Sequence, residues 1–371
     1  MKKQKILLLN QGHTTNYGDI AIHNTIETFL NEQNLETAFY PFWSEENVLG
    51  KKYNNYSKKI KKMLFKYSFI IDLFNKLSIK KHIKNIHEFD SIVIGGGELI
   101  SSHKGFNSSL KVWANLSQKY NIPLYIIGVS GDLNMSKKML SRNKNSLSKA
   151  SLVCVRDHYS HKIFTDFYNV NTICMTDVVF AYNHLIKKTS QPKTKKNELL
   201  FVPIEFNKTI KKNLNLENEN EYIKYLFNIM NKNLNNTNIV TITTSVKDDE
   251  KLAEKFYKYA KENNNNDNIT FNYQPYSNIN EYIKLLNKSQ KVISARMHAL
   301  ILALLNNCEI SVIPFKEKLI TFEKEYSKNI NLENTENIAL NELNLLYKLI
   351  KNQEYEENVN SIKELLHIPS L

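Results

Sequence analysis

The stretch Lys291-Val-Ile-Ser-Ala-Arg-Met-His-Ala-Leu-Ile-Leu-Ala-Leu-Leu305 carries a short apolar strand into an apolar helix. Val292 and Ile293 read as the strand and Ala299 to Leu305 as the helix, with Ser294, Arg296 and His298 at the junction. A strand feeding a helix N-terminus presents backbone N–H groups and the positive end of the helix dipole, so this turn suits an anion. An arginine and a histidine there could grip a phosphate or carboxylate and move a proton. A helix with two surface polar residues accounts for the same spacing, and the spacing alone leaves both readings open.

Working outward, the alternation repeats. Residues 4–10 read as a strand, and Gly12-His-Thr-Thr-Asn-Tyr-Gly18 as a polar loop with Asp19 at an N-cap position before the run Ile20 to Leu30. A second strand is expected over 35–42. Then Asp90-Ser-Ile-Val-Ile-Gly-Gly-Gly-Glu-Leu reads as a buried strand breaking into Gly95, Gly96 and Gly97, followed by Glu98. The strand from Pro123 ends in Gly128-Val-Ser-Gly-Asp132. Leu152 to Val155 ends in Arg156-Asp157, and Thr172 to Met175 ends in Thr176-Asp177. Strands are expected again over 199–206, 239–244, 269–273 and 310–313, with helices between them.

Parallel α/β sheets bind ligands at the carboxyl ends of their strands, which is where these polar and glycine residues gather. The expected architecture is α/β, with two Rossmann-like domains facing a cleft, GT-B-like. The N-terminal domain is expected over 1–186 with a lysine-rich helical insertion at about 44–86, a linker over 187–197, the second domain over 198–330 and a helical segment over 331–371.

At 371 residues and 42% apolar content, the chain can fill two cores. The opening run Ile6 to Leu9 is too short for a signal peptide, and no apolar run approaches ~18 residues, so a cytoplasmic protein is expected. Cys154, Cys174 and Cys308 lack metal-ligand spacing and read as buried thiols. The abundant asparagines read as compositional habit. Of the net charge of +13, most sits between Lys51 and Lys84, where eleven lysines face one acid, Asp72. A solvated helical insertion explains this. A basic amphipathic surface on anionic lipid, at the inner face of the membrane, is the sharper alternative.

Taken singly the clusters are weak. The glycine triplet fits neither G-x-G-x-x-G nor a Walker lysine pattern, and a tight turn explains it as well as a phosphate does. Asp19 and Asp177 can be caps, and Arg156-Asp157 a local ion pair. An arginine at a strand's carboxyl end also suits a carboxylate or phosphate.

Taken in order, N-Y-G-D-I-A from Asn16, I-G-G-G-E-L, V-R-D, T-D-V-V-F and S-A-R-M-H-A-L-I-L-A closely resemble the polysaccharide pyruvyl transferase family. The resemblance implies two Rossmann-type domains and transfer of pyruvate from phosphoenolpyruvate to a sugar. It places Arg296 and His298 in the donor site and Arg156 on the donor anion. Two positions depart from the family pattern: Ile20 stands where an acid often follows G-D, and Gly128-Val-Ser-Gly-Asp132 lacks a proline. His298 is the expected proton donor, with Asp19 or Glu98 orienting the acceptor hydroxyl. Asn16, Gly18, Gly95, Gly96, Gly97, Ser130, Asp177 and Ser294 complete the expected substrate-binding set.

No cofactor or metal is expected beyond phosphoenolpyruvate as donor, and no nucleic acid. The acceptor is expected to be a glycan or lipid-linked glycan, and the oligomeric state is left open. Two rivals stand beside this reading. One is a GT-B glycosyltransferase using a nucleotide sugar; the other is a non-catalytic membrane- or nucleic-acid-binding protein using residues 51–84.

Overall fold

The computed structural model describes residues 3–49, 67–186, 197–234, 237–326 and 331–352. The expected linker falls outside these apart from Asn197, as do the core of the lysine-rich stretch and the end of the C-terminal segment. The chain forms two compact units. One contains the residues up to His13, Ile22–Ala181 and the described residues from Asn337 onward. The other contains Thr14–Ala21 and Tyr182–Glu336. Thr14–Ala21, expected with the N-terminal domain, thus groups with the second unit.

The first unit is built on a six-stranded parallel sheet of order β2-β1-β3-β4-β5-β6. Its strands are β1 (Lys5–Asn10), β2 (Glu36–Pro41), β3 (Ser91–Ile100), β4 (Leu124–Gly131), β5 (Leu152–Val155) and β6 (Ile173–Cys174). β1 and β3 are almost wholly buried, as unbroken apolar strands covered on both faces must be. Helices α1 (Tyr17–Glu32), α2 (Glu45–Leu49), α3 (Ser68–His82), α4 (Lys104–Tyr120), α5 (Lys137–Leu147) and α6 (His158–Asp166) alternate with them. The core gathers Leu7, Leu9, Ile92, Ile94, Trp113 and Phe164, each worth about 1.5–3 kcal/mol of transfer free energy.

β3 and β4 run further than expected. β3 does not break at the glycines but continues to Ile100, with a register shift against β4 between Gly97 and Ile100. Gly96 and Gly97 hold φ of 69° and 87°, which only glycine tolerates in a strand. The missing side chains leave room for α1. A Cβ on Gly95 would lie 2.5 Å from Ile26 Cδ1, and one on Gly96 would lie 2.2 Å from Ile22 Cγ2. Close helix–sheet packing at Gly95 and Gly96, with positive φ at Gly96 and Gly97, therefore accounts for the triplet with no ligand invoked.

The second unit has a five-stranded parallel sheet of order β11-β10-β7-β8-β9. Its strands are β7 (Glu198–Val202), β8 (Ile239–Ile242), β9 (Thr270–Tyr273), β10 (Lys291–Ser294) and β11 (Glu309–Val312). Helices α7 (Tyr182–Ile186), α8 (Lys208–Leu214), α9 (Glu219–Asn231), α10 (Glu250–Glu262), α11 (Ile279–Lys288), α12 (Met297–Leu304) and α13 (Glu317–Tyr326) surround it; α14 (Leu332–Asn352) follows.

The asparagines turn out to have a structural use. Among the described residues, all five non-glycine residues with positive φ are asparagines: Asn34, Asn121, Asn169, Asn215 and Asn307. Each lies just beyond a helix end, the position that glycine fills in most proteins. Asn207, Asn218 and Asn278 cap helix N-termini through their side chains. With only nine glycines in the chain, asparagine takes over helix termination.

Candidate functional site

In the second unit the strand order reverses between β7 and β10, the point at which an open parallel sheet leaves a crevice beyond its strand ends. β10 ends at Ser294, and Ala295 and Arg296 lead into α12. The Ser294 hydroxyl donates to Val202 O at 3.2 Å and accepts from Arg296 N at 2.9 Å, fixing the turn to the neighbouring strand. Arg296 is the N-cap residue of α12, with extended backbone and no side-chain cap bond.

The guanidinium is held from one side. Arg296 Nε donates to Asp249 Oδ2 at 2.9 Å, and Nη2 reaches Oδ1 at 2.9 Å and Oδ2 at 2.8 Å. The Asp249 side chain is 1% exposed while that of Arg296 is 32% exposed. Asp249 also accepts from Glu205 N at 2.8 Å. Burial pushes its carboxyl up; Arg296 and the Glu205 N–H pull it back. The Tyr222 hydroxyl lies buried beside this pair with no hydrogen-bond partner among the described residues, and burial, reinforced by Asp249, pushes it up.

Sequence reading missed Asp249. It precedes α10 in Val246-Lys-Asp-Asp-Glu250, where an acid looks like a helix-start residue. In the structure Asp249 makes no side-chain cap bond to that helix. Only the pairing across 47 residues reveals its role.

The N-Y-G-D motif joins the same unit. Asn16 bridges Val246, Tyr17 N donates to Ser245 O at 2.9 Å, and Lys247 N donates to Thr15 O at 3.1 Å. The Tyr17 ring stacks on Tyr276 with centroids 4.8 Å apart, and its hydroxyl accepts from Ser277 N at 3.0 Å. Burial pushes this phenol up to about 12. Asp19 is not the N-cap. α1 starts earlier, at Tyr17, and Asn16 Oδ1 takes the Gly18 N–H at 3.0 Å. Asp19 lies in the first turn, where its carboxylate accepts from Thr14 Oγ1 and Asn16 Nδ2, both at 3.0 Å.

Gly18 brings the motif against the α12 turn. A Cβ there would lie 2.6 Å from His298 Nδ1 and 2.7 Å from its Cβ. The glycine is thus required by the approach of the imidazole, and His298 itself is half-buried. Asn16, Gly18, Asp19, Ser294, Arg296 and His298 all stand in this unit.

The remaining candidates lie in the first unit. Arg156 pairs not with Asp157 but with Asp177, Nη1 to Oδ2 at 2.7 Å, and Nη2 donates to Ser130 Oγ at 3.1 Å. Their side chains are 6% and 7% exposed. Asp157 caps α6 through Ser160 N at 2.6 Å, and Asp177 Oδ1 accepts from Val179 N at 3.0 Å. A guanidinium so enclosed offers little surface to a donor anion, so a structural pair explains Arg156 better. Glu98 is half-buried on β3. No group of three or more His, Cys, Asp or Glu among the described residues could hold a metal ion.

Two all-parallel units with these strand orders define a GT-B-like α/β protein. The chain belongs to the polysaccharide pyruvyl transferase family, whose model matches residues 16–314 and so spans every motif described above. No curated protein matches the chain in sequence. Among solved structures it is similar to the UDP-GlcNAc 2-epimerase of Methanocaldococcus jannaschii, at 10% identity and TM-score 0.51, covering 99% of this chain and 100% of that one. It is also similar to a UDP-N-acetylglucosamine 2-epimerase, at 9% identity and TM-score 0.52 over 96% and 90% of the two chains. Trehalose-6-phosphate synthase OtsA matches at 10% identity and TM-score 0.51 over 99% and 100%. At such identities these likenesses concern the fold alone.

Proposed function

We propose that the protein moves pyruvate from phosphoenolpyruvate onto a sugar of a cell-surface polysaccharide or its lipid-linked precursor, in the cytoplasm, forming a ketal and releasing phosphate. The observation that carries this reading is the grouping of an oriented arginine and a glycine-backed histidine at the switch point of the second sheet. Phosphoenolpyruvate bears a phosphate and a carboxylate, and the open edge of Arg296 with the α12 N-terminus is suited to either. Protonation of the methylene carbon makes the adjacent carbon electrophilic. Two sugar hydroxyls attack that carbon and the bond to the phosphate oxygen breaks. Of the two hydroxyl protons, one balances the proton taken up by carbon and one leaves with phosphate. His298 delivers the proton to carbon, a contribution typically worth ~10²–10⁴-fold. Asp19, held by Thr14 and Asn16, orients an acceptor hydroxyl.

Incubation with phosphoenolpyruvate and glycan precursors, read as phosphate release and product mass, tests the reading. Arg296→Ala and His298→Ala should abolish turnover; full turnover by both would place the chemistry elsewhere. Stabilisation by a UDP- or GDP-sugar with no response to phosphoenolpyruvate would favour a nucleotide-sugar transferase instead.

A further inference from the structure

Helix α3 packs with polar groups inward. Asn75 and Ser78 are buried beside Ile71 and Ile79. Asn75 Nδ2 donates to Ser109 Oγ at 3.0 Å, and the Ser78 hydroxyl donates to Asn47 O at 2.8 Å and lies 3.1 Å from the Tyr40 hydroxyl. The one acid of the helix, Asp72, is also drawn inward, bridging Arg142 Nη2 at 2.6 Å and Lys111 Nζ at 2.9 Å. These contacts seat α3 firmly in the first unit.

The outward face is apolar and basic. Phe69, Leu73 and Leu77, spaced i, i+4 and i+8, are 67%, 55% and 52% exposed. Single exposed apolar side chains are ordinary, but a run along one face is not. Lys76 and Lys80 share this face with Phe69 and Leu73, Lys81 flanks Leu77, and all three lysines are exposed. No acid of α3 faces outward with them. A helix that turns its small polar residues to the core and its leucines, phenylalanine and lysines to solvent has a partner other than water.

We propose that α3 is a membrane-contact surface that seats on anionic lipid. The lysine ammonium groups meet headgroup phosphates while Phe69, Leu73 and Leu77 enter the boundary with the acyl chains. Charge selects this occupant over a second copy of the chain, which would bring the same lysines face to face. Because α3 is already folded and anchored, docking costs little ordering entropy. The proposal goes beyond the transfer reaction and does not depend on which donor the protein uses.

The test is flotation of the purified full-length protein with vesicles of phosphatidylcholine alone or of phosphatidylcholine with phosphatidylglycerol, at low and high salt. Wild type should float with the anionic vesicles at low salt and not with phosphatidylcholine alone. Combined Lys76→Ala, Lys80→Ala and Lys81→Ala should lower the partition coefficient roughly 100-fold, at about fivefold per lysine. Combined Phe69→Ser, Leu73→Ser and Leu77→Ser should remove the salt-resistant part of binding. Both variants should keep wild-type unfolding temperature and turnover on a soluble acceptor. Three results would overturn the proposal: no flotation of wild type, flotation unchanged in both variants, or a wild-type dimer in solution that the serine variant abolishes.

Discussion

Arg296 and Asp249 form a fork-on-carboxylate pair with hydrogen bonds of 2.9, 2.9 and 2.8 Å, one partner enclosed and the other reaching solvent. Nε and Nη2 carry these bonds, so the pair fixes the plane of the guanidinium and leaves one edge to face a ligand. Asp249 is in turn set by the Glu205 N–H. An arginine oriented in this way loses less rotamer entropy when it meets an anion than one free to swing.

Replacing Asp249 by asparagine should keep most of the volume and lose the charge. Hydrogen bonds to charged groups are worth about 1.5–3 kcal/mol, so a fall in kcat/KM for phosphoenolpyruvate on the order of 10–100-fold is expected. Arg296→Lys should fall at least as far, because an ammonium cannot lie flat against the carboxylate. Steady-state kinetics on the two variants check this. Wild-type kcat/KM in Asp249→Asn would make the pair purely structural.

Gly18→Ala sets helix propensity against the close approach of His298. Gly18 is the second residue of α1 with no positive φ, so alanine there gains at most about 1 kcal/mol of helix propensity. Its methyl would nevertheless press on the His298 Cβ and Nδ1, and a Cβ cannot swing aside as a chain end can. Overpacking typically costs about 1–3 kcal/mol, more than the helix gain, so the expected outcome is a lowered unfolding temperature with turnover reduced at least tenfold. Thermal unfolding and phosphate release on the same preparation decide it.

How much of this could be read in advance follows from what each signal depends on. The β10–α12 turn was readable because strand and helix periods meet there within a few residues. The parallel α/β class followed from the same alternation repeated along the chain. Asp249 was not readable, because the fact that matters is a pairing with Arg296 and the local pattern offers a better explanation as a helix start. The continuation of β3 through Gly95 to Gly97 was hidden for a related reason. Glycines that admit Ile22 and Ile26 look, in sequence, like glycines that end a strand. Arg156 beside Asp157 suggested a local pair, yet its partner Asp177 lies 21 residues on.

Removing the Arg156 charge should show the cost of leaving Asp177 buried alone. Arg156→Met is expected to destabilise the protein by about 3–5 kcal/mol, the range for breaking an enclosed pair. Arg156→Met combined with Asp177→Leu should recover a large part of that, since two apolar groups leave no uncompensated charge. Denaturant titrations of the two variants would reveal the coupling. Equal destabilisation in the single and double variants would mean that the pair is not the unit of stability.

Glu342, on α14, gives the fold a pH dependence of predictable sign. Its carboxylate is buried and accepts from Thr176 N at 2.8 Å, and desolvation pushes it up to about 7. A carboxyl raised in the folded state binds protons more tightly there than in the unfolded chain. Its contribution is therefore fully present below its ordinary value and lost as pH rises through about 7. The full swing is on the order of 3 kcal/mol at 1.36 kcal/mol per unit, from mildly acidic to mildly alkaline solution. Glu342→Gln keeps an acceptor for the Thr176 N–H and carries no charge at any pH, so its stability should stay level over the interval where wild type declines. The two proteins should be similar in mild acid and the variant more stable in mild alkali. Parallel declines in chemical denaturation at both pH values would mean that Glu342 is ionised in the folded state with solvent access.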